Sequence, residues 1–141
     1  INNAGDVEPC VFCHFTVDNI KNKSLKEVFS SPFFRAIQEN QPYDNNLMRP
    51  CMLIDVPEVL RDVVEKYGAR PSHEGADSLV KDLKEDIDKY SQAFKDLSDP
   101  YWEENYKGTI YYKDYKTERK EYLEKLKETP VPKSHKEKAK V

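Results

Sequence analysis

Three cysteines carry the chemistry this sequence is equipped for. Cys10 and Cys13 are spaced Cys-x2-Cys in a turn-forming stretch, and Cys51 stands in Met48-Arg49-Pro50-Cys51-Met52. A two-residue spacer lets both sulfurs face one ion or cluster, which is why zinc ribbons and iron–sulfur proteins share it. An odd number of cysteines argues against a disulfide framework. A thioredoxin-like redox pair would need a strand, Cys-x2-Cys and a helix within an alternating α/β pattern, and no such alternation is present. Free cysteine is commonly buried for packing alone, and Cys51 by itself would be read that way. The pair in its turn tips the balance to metal or cluster binding.

The remaining chemistry-bearing residues are weaker candidates. His14 lies one residue from Cys13, a strained reach for chelating the same ion, and reads as a surface histidine with its own partner. His73 and Glu74 with Asp77 could form a metal or acid–base group, but charges at the start of a long helix are the plainer reading. Asp82, Glu85, Asp86 and Asp88 make a solvated acidic face. Tyr101, Trp102, Tyr106, Tyr111, Tyr112 and Tyr115 fit packing of a C-terminal segment better than base stacking, because no continuous basic stripe accompanies them. Glycine-rich phosphate loops and a Ser-His-Asp order are absent.

The elements that must position the cysteines follow from local signals. Asn2-Asn3-Ala4-Gly5-Asp6 predicts a tight turn leading into a strand over Val7 to Val11, half of a hairpin whose first strand would precede it, with Pro9 marking an edge. Ser24-Leu25-Lys26-Glu27 predicts a capped helix bearing Leu25, Val28 and Phe29. Ser31-Pro32 predicts another, with Phe33, Phe34 and Ile37 on its apolar side as far as Asn40, followed by a loop over Gln41 to Asn46. Asp55-Val56-Pro57-Glu58 predicts a third, carrying Val59, Leu60, Val63 and Val64 to a stop at Tyr67-Gly68.

Farther on, Leu79, Val80, Leu83, Ile87, Tyr90, Phe94 and Leu97 recur at helical spacing and predict the longest helix, Ala76 to Leu97. Asp99-Pro100 predicts a new turn or short helix, and Thr109 to Tyr115 an extended or irregular piece. Lys116 to Lys127 can form a last helix, and the proline- and lysine-rich end beyond Thr129 predicts disorder. The fold class expected is mainly α with a short N-terminal β-hairpin.

At 141 residues, 38% hydrophobic and 35% charged with a formal net charge of −3, the chain suits one modest domain built from amphipathic elements. It has no apolar run long enough for a bilayer and no signal-peptide pattern, so a cytoplasmic protein without a membrane partner is expected. The N-terminus lacks an initiating Met, which suggests truncation. Lys and Arg dominate from Lys107 onward, but Glu118, Glu121, Glu124 and Glu128 interrupt them, so nucleic acid is not an expected partner.

Gly5-Asp6-Val7-Glu8-Pro9-Cys10 resembles the Gly-x4-Cys element of SPASM and related twitch domains, the auxiliary cluster modules appended to radical S-adenosylmethionine (radical SAM) enzymes. The helix starts at Ser24 and Ser31 and the Arg49-Pro50-Cys51 stretch follow in the family's order, so the resemblance covers residues 1–54 as a cluster-binding region. Residues 55–106 then read as a helical continuation and residues 107–141 as a basic, partly helical to disordered tail.

The resemblance implies an auxiliary four-iron four-sulfur cluster on Cys10, Cys13 and Cys51, with a fourth ligand upstream, where the family carries a cysteine before the glycine. It also implies a radical SAM barrel in the N-terminal part of the same parent chain as the partner, holding S-adenosylmethionine. The sequence departs from the fuller SPASM pattern of more cysteines and a second cluster, so a single-cluster, twitch-like arrangement is implied. The catalytic Cys-x3-Cys-x2-Cys motif is absent from these residues, so no cleavage of S-adenosylmethionine is assigned to them. The alternative from a different class is a non-enzymatic helical interaction module stapled by structural zinc.

Overall fold

Ser24 caps α1 (Leu25–Phe29) reciprocally: its hydroxyl accepts the Glu27 N–H at 3.4 Å, and the Glu27 carboxylate accepts the Ser24 N–H at 2.8 Å. Ser31 caps α2 (Pro32–Glu39), where Pro32 fills a first-turn position that has no need of an N–H. The computed structural model describes residues 1–128 in this way as a mainly helical protein with one short antiparallel sheet. The predicted disorder beyond Thr129 lies outside the described residues.

α3 (Pro57–Tyr67) ends as predicted on Gly68, at φ 60°, with the Ala69 N–H returning to the Val64 carbonyl at 3.0 Å. Its start differs from a side-chain cap. Val56 holds the cap position, while the Asp55 carboxylate turns back to accept the Cys51 N–H at 2.9 Å.

The strand predicted over Val7 to Val11 is not formed; the arm leaving the opening turn makes an isolated antiparallel bridge, Asp6 to Asn19, because its hydrogen bonds go to the chain's own return. The Val7 N–H donates to the Asp18 carbonyl at 3.1 Å and the Ile20 N–H to the Gly5 carbonyl at 2.9 Å. The arm leaving the opening turn therefore pairs with the chain's own return. That return includes β1 (Phe15–Thr16), which pairs antiparallel with β2 (Arg70–Pro71), Phe15 lying opposite Pro71.

One apolar cluster holds these pieces together. Val7, Cys13 and Phe15 from the hairpin meet Val28, Phe33, Phe34 and Ile37 from α1 and α2 and Leu60 and Val63 from α3. Phe15, Phe33 and Leu60 are each only 1% exposed.

The long helix departs from its prediction at both ends. Ala76–Leu79 is a separate 3-10 turn, and α4 runs from Lys84 to Tyr106 straight through Pro100. A mid-helix proline removes a hydrogen bond and crowds the preceding turn. Tertiary contacts hold this one in place: Asn46 Nδ2 donates to Ser98 Oγ at 3.2 Å and to Asp99 Oδ1 at 2.8 Å, and Trp102 is buried one turn on.

The face that docks α4 is also not the apolar stripe. Ser91, Ser98 and Trp102 are its buried residues, whereas Leu83, Tyr90 and Leu97 are exposed. Arg61 on α3 adds a bond to Asp88 of the acidic face at 2.7 Å. Thr109 to Asp114 is a series of turns leading to α5 (Tyr115–Glu128), which touches the body where Arg119 donates to the Gln38 carbonyl at 3.0 Å. No helix among the described residues is long and apolar enough to cross a membrane.

Candidate cysteine centre

The centre begins at a turn that requires glycine. Gly5 has φ 89°, and a Cβ there would stand 2.9 Å from Asn19 Oδ1. Asn2 Oδ1 accepts the N–H groups of Ala4 and Asp6 at 3.0 and 2.9 Å, closing the loop ahead of it. Asp6 is buried and takes hydrogen bonds from Arg70, from Asn19 at 2.9 Å and from Asn2 at 3.3 Å. The Arg70 guanidinium, foremost among these, holds the Asp6 carboxyl below its ordinary value. Behind it the fully buried Thr16 hydroxyl donates to the Val7 carbonyl at 2.8 Å. The arm that leads to Cys10 is thus fastened to β1 and β2 before the cysteines are reached.

Cys10 and Cys13 close a tight turn, with the Cys13 N–H donating to the Cys10 carbonyl at 3.1 Å. Cys10 is exposed and Cys13 buried, while Val11 and Phe12 at the tip point into solvent.

Cys51 reaches the same place from the loop between α2 and α3. Arg49, a buried guanidinium, ties that loop down through the Asp44 carboxylate, the Asp55 carbonyl and Ser91 of α4. Asp55 holds the Cys51 amide, and the amides of Asp55 and Val56 both donate to the Cys51 carbonyl at 3.0 Å. The Leu53 N–H donates to Cys51 Sγ at 3.4 Å.

Cys10 and Cys51 both lie near enough to Cys13 to act on its charge. Burial pushes the Cys13 thiol up to about 12, and the neighbouring Cys10 and Cys51 sulfurs add to that rise. Three thiolates could not share this place without a cation or cluster to take their charge. Tyr43, in the loop before Cys51, is buried, and its phenol is pushed upward by that burial, with all three thiols contributing.

Tyr43 went unnoticed at the sequence level because it sits in a polar loop, and a lone aromatic among turn residues was the available signal. Arg49 and Asp55 were equally silent, because a buried ion is recognised by its partners and these come from distant positions.

The histidines do not join the thiols. His14 Nδ1 faces Glu8 Oε1 at 3.4 Å. His73, paired on paper with Glu74 and Asp77, is instead 3.4 Å from the same Glu8 oxygen, while Asp77 bonds Lys81 at 3.0 Å. Burial works to raise the Glu8 carboxyl, but the Ser72 hydroxyl and the two histidines outweigh it and hold it below its ordinary value. Among the described residues, Glu8, His14 and His73 form the set of three metal-capable side chains whose ligand atoms lie within 4.8 Å of one another, and the three thiols are more widely spaced than that.

Residues 1–52 match the family model of SPASM, described as an iron–sulfur cluster-binding domain, and this stretch contains all three cysteines. No curated protein and no solved structure matches the chain.

Proposed function

We propose, taking residues 1–52 as a SPASM-type iron–sulfur cluster-binding domain, that Cys10, Cys13 and Cys51 ligate an auxiliary four-iron four-sulfur cluster in the C-terminal part of a radical SAM enzyme. The observation that carries this reading is the meeting of buried Cys13 with Cys10 from its own turn and Cys51 from a separate loop, both of which oppose the ionisation of Cys13. The donors suit the group. Thiolates are the usual ligands of such clusters, and a cluster offers each thiolate its own iron.

The spacing of the thiols supports the cluster over a single zinc ion. Sulfurs on one tetrahedral zinc stand about 3.8 Å apart, given zinc–sulfur bonds of about 2.3 Å. The three thiols are not drawn into so close a set. In the family pattern the fourth ligand comes from ahead of the glycine, and S-adenosylmethionine belongs to the barrel of the parent.

When bound, the cluster supplies one-electron chemistry or an iron site for substrate ligation. The chain's own residues set the conditions. Leu53 N–H donates to the Cys51 sulfur, the core under Cys13 excludes water from one side, and exposed Cys10 leaves the other side accessible. An electron relay or an oriented substrate would both use that open side.

Anaerobic reconstitution with iron and sulfide tests the reading. A brown protein with matching iron and sulfide contents and a paramagnetic signal on reduction is expected, with Cys51→Ala losing most of the iron. A colourless protein that takes stoichiometric zinc through its thiols would replace this reading with the zinc-stapled module. For the parent, the coding sequence upstream should contain Cys-x3-Cys-x2-Cys.

A further inference from the structure

Glu8, His14 and His73 come from three places that the β1–β2 ladder draws together. Glu8 lies on the outgoing arm, His14 immediately before β1 and His73 shortly after β2. The Ser72 N–H donates to the His14 carbonyl at 2.9 Å, extending the ladder to the pair of histidines. Their rings meet edge to face, with centroids 4.5 Å apart at 81°.

One carboxylate oxygen serves both. Glu8 Oε1 is 3.4 Å from His14 Nδ1 and 3.4 Å from His73 Nε2, and the Ser72 hydroxyl donates to that same atom. The side chains are 11%, 35% and 50% exposed in the order Glu8, His14, His73, so the group is anchored at the carboxylate and open at His73.

These separations decide between two accounts of the cluster. A charge-assisted N–H to carboxylate bond settles at about 2.7–2.9 Å, and both contacts are well beyond that. Ligands on one tetrahedral ion, with metal–nitrogen and metal–oxygen bonds of about 2.0–2.2 Å, stand about 3.3–3.5 Å apart. The two contacts to Glu8 match that edge, and all three ligand atoms lie within 4.8 Å of one another. Two imidazoles and a carboxylate also form a recurrent ligand set for zinc and non-haem iron, and a hydroxyl that fixes a ligating carboxylate is the usual outer support.

The geometry points to a second inorganic site, separate from the thiols: Glu8, His14 and His73 bind a divalent first-row transition metal ion, with a coordination position left open toward solvent. The ion would clip the arm bearing Cys10 to the segment after β2. This assignment does not depend on what the thiols hold.

Zinc titration by calorimetry tests it on the 141-residue chain with Cys10, Cys13 and Cys51 all changed to Ser. One zinc ion per chain is expected. Adding His73→Ala should weaken binding at least about tenfold, since even outer-shell partners are worth about 10–100-fold in affinity. Glu74→Gln, next door but outside the group, should leave it unchanged. A folded Cys-free chain that takes no zinc, or equal affinity after His73→Ala, overturns the site.

Where the Cys-free chain does not fold, the intact chain supplies the answer. There His73→Ala should lower zinc stoichiometry by one, and an unchanged stoichiometry overturns the site. Loss of the thiol centre alone leaves this result untouched, so the two assignments fail separately.

Discussion

Between Val7 and Ala69 the chain buries its large apolar side chains against one another, and every fully buried member of the apolar cluster falls in that interval. From Lys84 to Tyr106 the most regular apolar stripe of the sequence is exposed at Tyr90 and Leu97 and half-buried at Ile87 and Phe94, while the helix's buried residues are Ser91, Ser98 and Trp102. Periodicity thus identifies a helix without identifying the face it buries. The first region is fastened by area removed from water, the second by a few polar contacts whose partners, Asn46 and Arg49, belong to the loop bearing Cys51. The cysteine centre sits where the two kinds of attachment meet.

The largest effect expected is on the first region. Leu60→Ala or Phe15→Ala removes a side chain that is 1% exposed and should cost about 2–5 kcal/mol in denaturant unfolding. Core and hairpin should fail together, so reconstituted iron should fall in step. A loss of stability without loss of iron would show that the thiol loops hold themselves.

Arg49 is the sharpest probe of the junction. Arg49→Ala leaves Asp44 and the Asp55 carbonyl without their buried partner, and removing one side of a buried ion pair costs about 3–5 kcal/mol. The expected signature is regional: amide exchange should accelerate around Cys51 and in α4 near Ser91, and change little in α1. Uniform acceleration would erase the distinction between the two regions.

Asp6 gives a smaller effect with a pH signature. Asp6→Asn weakens hydrogen bonds to a charged group, worth about 1.5–3 kcal/mol. Because the folded carboxyl is held below its ordinary value, foremost by Arg70, its contribution is fully present above about pH 4. It is lost as pH falls through the lowered folded value. The gap between native and variant in denaturation midpoint should therefore be widest near neutrality and close in acid; a gap that persists there would remove Asp6 as its source.

These cases also mark what could be read in advance. The starts of α1 and α2 were legible because Ser24, Ser31 and Pro32 act on amides within four residues. The stop of α3 at Gly68 was legible because a left-handed backbone selects glycine. The cysteine pair was readable from its spacing, since sequence neighbours in a turn are spatial neighbours. Hidden were the pairings made by folding itself: β1 with β2, His73 with Glu8 rather than Glu74, and Asp55 with Cys51 rather than α3. The continuation of α4 through Pro100 was hidden for the same reason, because local propensity forbids it and Asn46 and Trp102 permit it.

The smallest effect expected is the one that most directly contrasts the regions. Leu97 is 75% exposed on α4, and Leu97→Ser should move stability by no more than about 0.5 kcal/mol, the range of ordinary surface substitutions. Trp102→Ala on the same helix removes its one large buried side chain and should cost about 3–5 kcal/mol. Both residues are apolar, so hydrophobicity alone predicts similar losses. A near-zero result at Leu97 beside a large one at Trp102, measured by the same urea titration, would establish that docking rather than periodicity governs α4. Comparable losses at the two positions would mean that the exposed stripe is covered in solution, and the comparison between the two regions would have to be redrawn.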